Sequence, residues 1–165
     1  MPDPIRVRDL ELRFGERTYV MGIVNMTPDS FSGDGLLAVA GPVEAAVTQA
    51  RRMVAEGADI IDVGGESTRP GHEPVSAEDE LGRVVAVVRA LRETLPGLPL
   101  SVDTSKPAVA DAALQAGADI VNDVAGVTAG AALAPVAAIH DAPYIVMHSR
   151  ARPVYRDVMT EVVAD

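Results

Sequence analysis

The chain has 165 residues, of which 24 are acidic and 14 are basic, so its formal net charge is −10. With three tyrosines, two phenylalanines and this acidic balance, it lacks the cationic footprint and stacking platforms of nucleic-acid-binding proteins, and no nucleic-acid partner is expected. The absence of cysteine excludes disulfide scaffolds, thiolate metal sites and a cysteine nucleophile. No apolar run approaches the roughly 18 residues of a membrane span, so we expect a cytoplasmic protein with no membrane partner. A hydrophobic fraction of 48% predicts one packed domain over residues 1–165.

Short β-rich runs alternate with alanine-rich helical patterns along the chain, which is typical of βα units and a parallel sheet. Residues 5–20 predict a β-hairpin with a turn at residues 14–17. The later predicted elements follow in chain order as a strand at 20–25, a helix at 43–56, a strand at 60–63, a helix at 76–95, a strand at 98–103, a helix beginning at 104–107, a strand at 120–123, a helix at 130–139, a strand at 144–147 and a helical pattern from 154. Ser76 and Asp79 have the spacing of a helix capping box, and Gly57 is placed to end the first helix.

The spacing of the predicted strands leaves two architectures open. Strand ends between Asn25 and Met147 fall about 30 residues apart, and the echo of GADIID in GADIVN, 60 positions later, suits two such units. Eight units would need about 240 residues, close to the usual size of a (β/α)8 TIM barrel, of which the chain would supply about five units and appear truncated at its C-terminus. The alternative is a complete, open doubly wound parallel sheet. Because five parallel strands cannot close a barrel, we expect two unpaired apolar sheet edges.

Polar residues cluster where the predicted strands end, which is the edge at which both parallel architectures place their active sites. These residues are Asn25, Asp62, Glu66, Asp103, Asn122, Asp123 and His148. Aspartate and asparagine also cap helices at such turns, so any one of them can have a purely structural role. Because five strands end in this way, the pattern favours a shared pocket, in which Asn25, Asp103 and Asn122 must converge.

Two glycine-containing loops follow the first two core strands. Asn25 precedes the loop at 26–36, and its amide oxygen suits Mg²⁺, which usually keeps water and phosphate oxygens as its other ligands. The loop at 64–75 carries Arg69, whose planar guanidinium suits a carboxylate or a phosphate. Read from composition alone, the first loop is more typical of an ordinary surface turn, and the arginine of the second could equally be solvated on a surface loop.

The chain resembles the dihydropteroate synthase family of folate biosynthesis from about Val20 onward, in four segments that read, in order, GIVNMTPDSFSGDG, GADIIDVGGESTRPG, SVDTS and IVNDVAG. The resemblance implies an eight-stranded βα barrel. It also implies a transferase that joins para-aminobenzoate to 6-hydroxymethyl-7,8-dihydropterin pyrophosphate, with Mg²⁺ as cofactor and pyrophosphate as the second product. The family is the target of sulfonamides, and a homodimer is implied for the full-length protein.

The resemblance implies roles for residues at the strand ends. Asn25 matches the metal-binding asparagine that meets the pyrophosphate, and it is expected to serve catalysis. Asp103 and Asn122 match pterin-binding residues, and Met147 lies where the family often lines the pterin slot.

Other matched residues lie in the two loops. Thr68 matches a contact to the pterin pyrophosphate, and Thr68, Arg69 and Pro70 match the loop beside para-aminobenzoate, with a catalytic role expected for Arg69. Asp34 is expected to bind substrate, although it stands one position later than the aspartate in the DSFSDGG pattern of the family.

The later motifs of the family do not occur in these 165 residues: a pterin-binding aspartate and lysine, a Ser-Arg-Lys-type segment and an Arg-x-His segment. Lys106, the only lysine, opens a helix after Asp103 and does not replace them. Two other functions therefore stay open, a non-catalytic pterin-binding module and the folate domain of a methyltetrahydrofolate methyltransferase.

Overall fold

The computed structural model of the chain describes residues 3–26, 41–66, 74–126, 132–148, 150, 152 and 154–165. The elements in these ranges are β1 (Ile5–Val7), β2 (Leu10–Leu12), β3 (Met21–Asn25), α1 (Pro42–Ala55), β4 (Ile60–Gly64), α2 (Ala77–Thr94), β5 (Leu100–Asp103), α3 (Pro107–Ala116), β6 (Ile120–Asp123), α4 (Ala134–Ile139), β7 (Tyr144–Val146) and α5 (Val158–Ala164). Each predicted helix and core strand is present, and the described ends differ from the predicted ones by four residues or fewer.

The order of the strands distinguishes the two predicted architectures. Strands β3 to β7 form one parallel sheet in the order β3-β4-β5-β6-β7. A doubly wound sheet reverses its strand order at a switch point, whereas here each connection advances by one strand in the same direction. Since such crossovers are right-handed, the helices lie on one face, and neighbouring helices from α1 to α4 contact each other. The sheet is part of a TIM-barrel wall, with β3 and β7 as its edges in the described chain.

The face of the sheet that meets the helices forms the main hydrophobic core. Side chains alternate along a strand, so every second residue turns toward the helices. The buried strand residues of this core are Val24, Ile61, Val63, Leu100, Val102 and Val121, and they pack with helix residues such as Ala46, Val84, Leu91, Ala110 and Ala113. Among the described residues, no helix has the length and hydrophobicity that crossing a membrane requires.

The N-terminal hairpin turns at a different place from the one predicted. The turn joins β1 to β2 at Arg8 and Asp9, whereas residues 14–17 form a separate tight turn closed by a single bridge. Arg8 has a φ of 54°, an unusual conformation for a residue with a side chain. Its Nε donates to Asp119 Oδ1 over 2.5 Å, a contact 111 positions away that local sequence patterns do not contain.

The hairpin covers the end of the sheet at which the strands begin. Val7 and Leu12 form a second buried cluster with Ile60 and Ile120, the first residues of β4 and β6. The opposite end of the sheet, where the strands finish, therefore remains available for a site.

The predicted helix caps are present. Ser76 caps α2, because its Oγ accepts from the Asp79 backbone N–H over 3.1 Å and donates to the Asp79 carboxylate over 2.7 Å. Gly57 follows the last residues of α1 with a φ of 109°, which glycine adopts readily. These local signals explain why the predicted helix ends are close to the observed ones.

Candidate functional site

A row of residues in register crosses the sheet where its strands end. Asn25 pairs with Gly64, Gly64 with Asp103, Asp103 with Asn122, and Asn122 with Ile145. Paired residues of neighbouring parallel strands project from the same face of a sheet. The expectation that Asn25, Asp103 and Asn122 share one face is therefore confirmed, whereas the ligands they bind remain a prediction.

Gly64 leaves room between two of these side chains. A Cβ atom at position 64 would lie 3.1 Å from Asn25 Oδ1 and 3.5 Å from Asp103 Oδ2. The amide of Asn25 and the carboxyl group of Asp103 thus approach each other over the bare backbone of β4. An oxygen-rich patch of this kind can accept donors from a ligand or contribute an oxygen to a hard cation.

Asp103 is the most electrostatically unusual member of the row. Burial raises the pKa of Asp103 to about 7, and the negative charges of Asp62, Glu80 and Asp123 add to the rise. Its Oδ1 atom is buried and has no hydrogen-bond partner among the described residues. A buried polar atom without a partner is costly, so this oxygen is suited to accept a hydrogen bond from a bound molecule.

Asp62, a polar strand-end residue that was expected in the shared pocket but was given no specific role there, belongs to the same face. Asn122 Nδ2 donates to Asp62 Oδ2 over 3.1 Å, and burial raises the pKa of Asp62 against the opposing effects of Ser101 and Asn122. Asp62 Oδ1 is buried with no hydrogen-bond partner in the described chain. The repeat at an offset of 60 residues places Asp62 and Asn122 at equivalent positions, and alternate strands of a barrel fill one interior layer. That repeat is the signal that could have assigned Asp62 a role beside Asn122.

Asp123 and His148, two of the polar strand-end residues, have structural partners instead. Asp123 is buried, accepts from the backbone N–H groups of Ala125 and Gly126 over 3.0 and 2.9 Å, and accepts from the Tyr144 hydroxyl. Burial and the contact with Asp123 raise the pKa of Tyr144 to about 12. His148 Nε2 lies 2.7 Å from Asp165 Oδ2 near the end of α5.

Met147 lies directly after β7, at the same end of the sheet as the row. Its backbone N–H donates to the carbonyl oxygen of Asp123 over 3.1 Å, and the residue is 44% exposed. Ile23 on β3 and Ile145 on β7 are also exposed. Apolar side chains therefore flank the polar groups, as a flat aromatic ligand would require.

Lys106 stands outside the row and binds two carboxylates. It precedes α3 and donates from Nζ to Glu66 and to Glu80, the second of which is fully buried. Glu80 was not recognised from the sequence, because an acidic residue in the first turn of a helix is common and usually exposed.

The other predicted site residues, Asp34, Thr68, Arg69 and Pro70, lie outside the described residues. In the part of the chain that the structure describes, no cluster of three or more His, Asp or Glu side chains could hold a metal ion by itself. Mg²⁺ commonly binds through only one or two protein oxygens and completes its shell with water and phosphate, so the Asn25 amide oxygen fits this mode.

Comparison with known proteins places these observations in a family. The family described as "Pterin binding enzyme" matches residues 21–165. The chain is 44% identical over 161 residues to a dihydropteroate synthase of Clostridium beijerinckii, covering 98% of this chain and 58% of the relative. It is 49% identical over 152 residues to the Synechocystis enzyme of the same name, covering 92% and 51%. The chain thus spans about half the length of the curated relatives it matches.

Solved structures that resemble this chain come from the same family. A dihydropteroate synthase from Clostridium difficile, crystallised in the presence of pteroic acid, matches with a TM-score of 0.80 and 42% identity, covering 93% of this chain and 57% of that one. The enzyme from Xanthomonas albilineans with 4-aminobenzoic acid matches with a TM-score of 0.78 and 47% identity, covering 90% and 53%.

Proposed function

Because the chain belongs to the pterin binding enzyme family, we propose that its protein carries out the dihydropteroate synthase reaction. In this reaction para-aminobenzoate condenses with 6-hydroxymethyl-7,8-dihydropterin pyrophosphate to give 7,8-dihydropteroate and pyrophosphate. The observation that carries the proposal is the row of Asn25, Asp103 and Asn122 on one face at the ends of β3, β5 and β6.

The pterin ring is proposed to bind at Asp103 and Asn122. One edge of a pterin presents an amino group and ring N–H donors, and a carboxyl oxygen without a partner suits such donors. An amide both donates and accepts, so Asn122 can contact a neighbouring ring atom while its nitrogen also binds Asp62. Met147, exposed at the end of β7, would line the same slot.

The diphosphate tail is proposed to lie toward Asn25. Asn25 would hold Mg²⁺ through its amide oxygen, and the bound ion would supply positive charge against the departing pyrophosphate. Thr68 is proposed to contact the phosphate groups. Asp34, which follows β3 in the sequence, is proposed as a further substrate contact.

The proposed reaction needs little acid–base catalysis from the protein. The bond from the pterin methylene carbon to the pyrophosphate oxygen breaks, and electron donation from the ring stabilises the positive charge that develops on that carbon. The arylamine is neutral at pH 7, so its nitrogen attacks without a strong base and releases its proton afterwards. The protein must orient the two substrates and exclude water, which would otherwise capture the cationic carbon. Thr68, Arg69 and Pro70 are proposed to hold the arylamine.

The remaining proposals concern the protein as a whole. We place it in the cytoplasm, treat residues 1–165 as part of a single pterin-binding domain, and expect the full-length form to be a homodimer. A sulfonamide, which resembles para-aminobenzoate, is expected to compete for the arylamine position.

The test uses the full-length gene product that contains this chain. Pyrophosphate release is measured with the pterin pyrophosphate, with and without para-aminobenzoate, in Mg²⁺ and in excess EDTA. Release that depends on both the arylamine and Mg²⁺ supports the proposal. Pterin binding without turnover would instead identify a binding module, and methyl transfer from methyltetrahydrofolate would identify a methyltransferase domain.

A further inference from the structure

A network of charged side chains, which we call the Lys106 network, lies next to the ends of β4 and β5. Its members are Glu66, Glu80, Thr104 and Lys106. Lys106 Nζ donates to one carboxyl oxygen of Glu66 and to one of Glu80. Thr104 Oγ1 donates to the other oxygen of Glu80 over 2.6 Å and accepts from the Lys106 backbone N–H over 3.1 Å.

The network is built into the fold. The Glu80 side chain is fully buried, and those of Lys106 and Glu66 are 24% and 18% exposed. Burial acts to lower the pKa of Lys106, but the hydrogen bonds that it donates to Glu66 and Glu80, together with their negative charges, outweigh burial and raise the pKa, so Lys106 is charged at neutral pH. Its ammonium group compensates two carboxylates that would otherwise share one poorly solvated space, and removal of such a partner is costly.

Glu66 links this network to Val75, near the other end of the connection between β4 and α2. Its Oε2 accepts from Lys106, and its Oε1 accepts from the backbone N–H of Val75 over 3.0 Å. Glu66 follows β4 by two positions, and Val75 precedes α2 by two. The two ends of the connection between β4 and α2 are therefore joined by a single carboxylate whose own position Lys106 holds.

We propose that Lys106 is a positioning residue, which acts through Glu66 to fix both ends of the β4–α2 connection and thereby sets the affinity for the arylamine substrate. The inference rests on the proposed function, which assigns residues 68–70, directly after this anchor, to para-aminobenzoate. Pterin affinity, which is assigned to Asp103 and Asn122, depends on it much less.

The experiment compares four variants of the full-length protein. Lys106→Met removes the charge at similar length, whereas Lys106→Arg keeps it. Glu66→Ala removes the link to Val75 but leaves the contacts among Lys106, Glu80 and Thr104, so it serves as the second variant if Lys106→Met does not fold. Glu78→Gln is the matched control, since Glu78 is exposed in the first turn of α2, the helix that also carries Glu80.

Three measurements are made on each variant. Hydrogen exchange of the Val75 amide, recorded without substrates, reports the anchor itself. Steady-state kinetics give the KM for para-aminobenzoate, and calorimetry gives the Kd for the pterin pyrophosphate. We expect Lys106→Met and Glu66→Ala to expose the Val75 amide and to raise the arylamine KM by about tenfold or more, because small displacements of a substrate-positioning segment are costly. The pterin Kd should change far less, and Lys106→Arg and Glu78→Gln should stay near the wild type.

The outcomes separate this inference from the proposed function. Unchanged Val75 exchange in Glu66→Ala, or an unchanged arylamine KM in a variant with an exposed Val75 amide, would overturn the positioning role. Equal losses of arylamine and pterin affinity would overturn it as well, since they would indicate general structural damage. Absence of arylamine-dependent turnover in the wild type overturns the proposed function and the inference that rests on it.

Discussion

Asn122 on β6 donates a hydrogen bond to Asp62 on β4 over 3.1 Å, although β5 lies between these two strands. The contact fixes the orientation of the Asn122 amide beside Asp103, its partner in the row. The Asp62 carboxylate, which was given no specific role from the sequence, therefore supports the Asn122 amide, which was predicted to bind the pterin.

Substitution Asp62→Ala should weaken pterin binding without abolishing it. Loss of a buried acceptor leaves the Asn122 amide without this partner, and we expect a cost of roughly 1–2 kcal/mol, or about a tenfold increase in the pterin pyrophosphate Kd. Calorimetry on the folded variant measures the change. An unchanged Kd would show that Asp62 does not orient Asn122 for the ligand.

Substitution Asp103→Ala should abolish measurable pterin binding, because it removes the carboxyl oxygens that are proposed to accept from the ring. Asp111→Ala is a suitable control, since Asp111 is a more exposed aspartate on the adjacent helix α3. Calorimetry with the pterin pyrophosphate compares the two variants. Retained affinity in Asp103→Ala would remove this residue from the site.

Substitution Gly64→Ala should disturb the site more than the fold. The new methyl group would lie 3.1 Å from Asn25 Oδ1 and would displace that amide from Asp103. We expect about a tenfold loss of catalytic efficiency, the size that misplacement of a single binding group can produce.

Gly82→Ala is the matched control for this change. Gly82 lies within α2, nothing lies within 4 Å of its would-be Cβ, and alanine should stabilise the helix there by about 0.5–1 kcal/mol. Kinetics and thermal unfolding of both variants distinguish the two effects. Equal activity of the two variants would contradict the role assigned to the bare backbone at position 64.

The stability of the fold should depend on the protonation of Asp103. Its pKa is about 7 in the folded state, above the ordinary value of 3.8, so the folded state binds more protons between these limits. The free energy of unfolding must therefore fall as the pH rises through this window, and the contribution is lost above about pH 7.

Asp103→Asn removes the titrating group and tests this dependence. Denaturant unfolding at pH 4.5 and pH 7.5 should show a fall in stability that is roughly 2 kcal/mol larger in the wild type than in the variant, which allows for partial exposure of the carboxyl group. Titrating groups that do not interact with Asp103 cancel in the difference between the two proteins. Identical pH dependence in both would show that Asp103 titrates normally.

Local chemistry was enough to predict most elements of this chain. The periodicity of helices and strands depends on residues within a few positions of each other. The same is true of the helix ends at Ser76 and Gly57, so the local sequence is enough to predict these features. The same holds for the polar strand ends and for the motifs that resemble the family. The turn predicted at residues 14–17 was wrong as the hairpin turn because Arg8, which lies in the actual turn, is held by Asp119 from a distant part of the chain.

Contacts between different βα units could be identified only from the tertiary structure. The strand order that excludes a doubly wound sheet, the register that aligns Asn25 with Asp103, and the buried Glu80 beside Lys106 all join segments tens of residues apart. Sequence periodicity describes which face of an element is apolar, but it carries no information on which element will lie beside it. The neighbours of each element are decided when the apolar faces of many elements are buried together, and the resulting arrangement sets the geometry of the site.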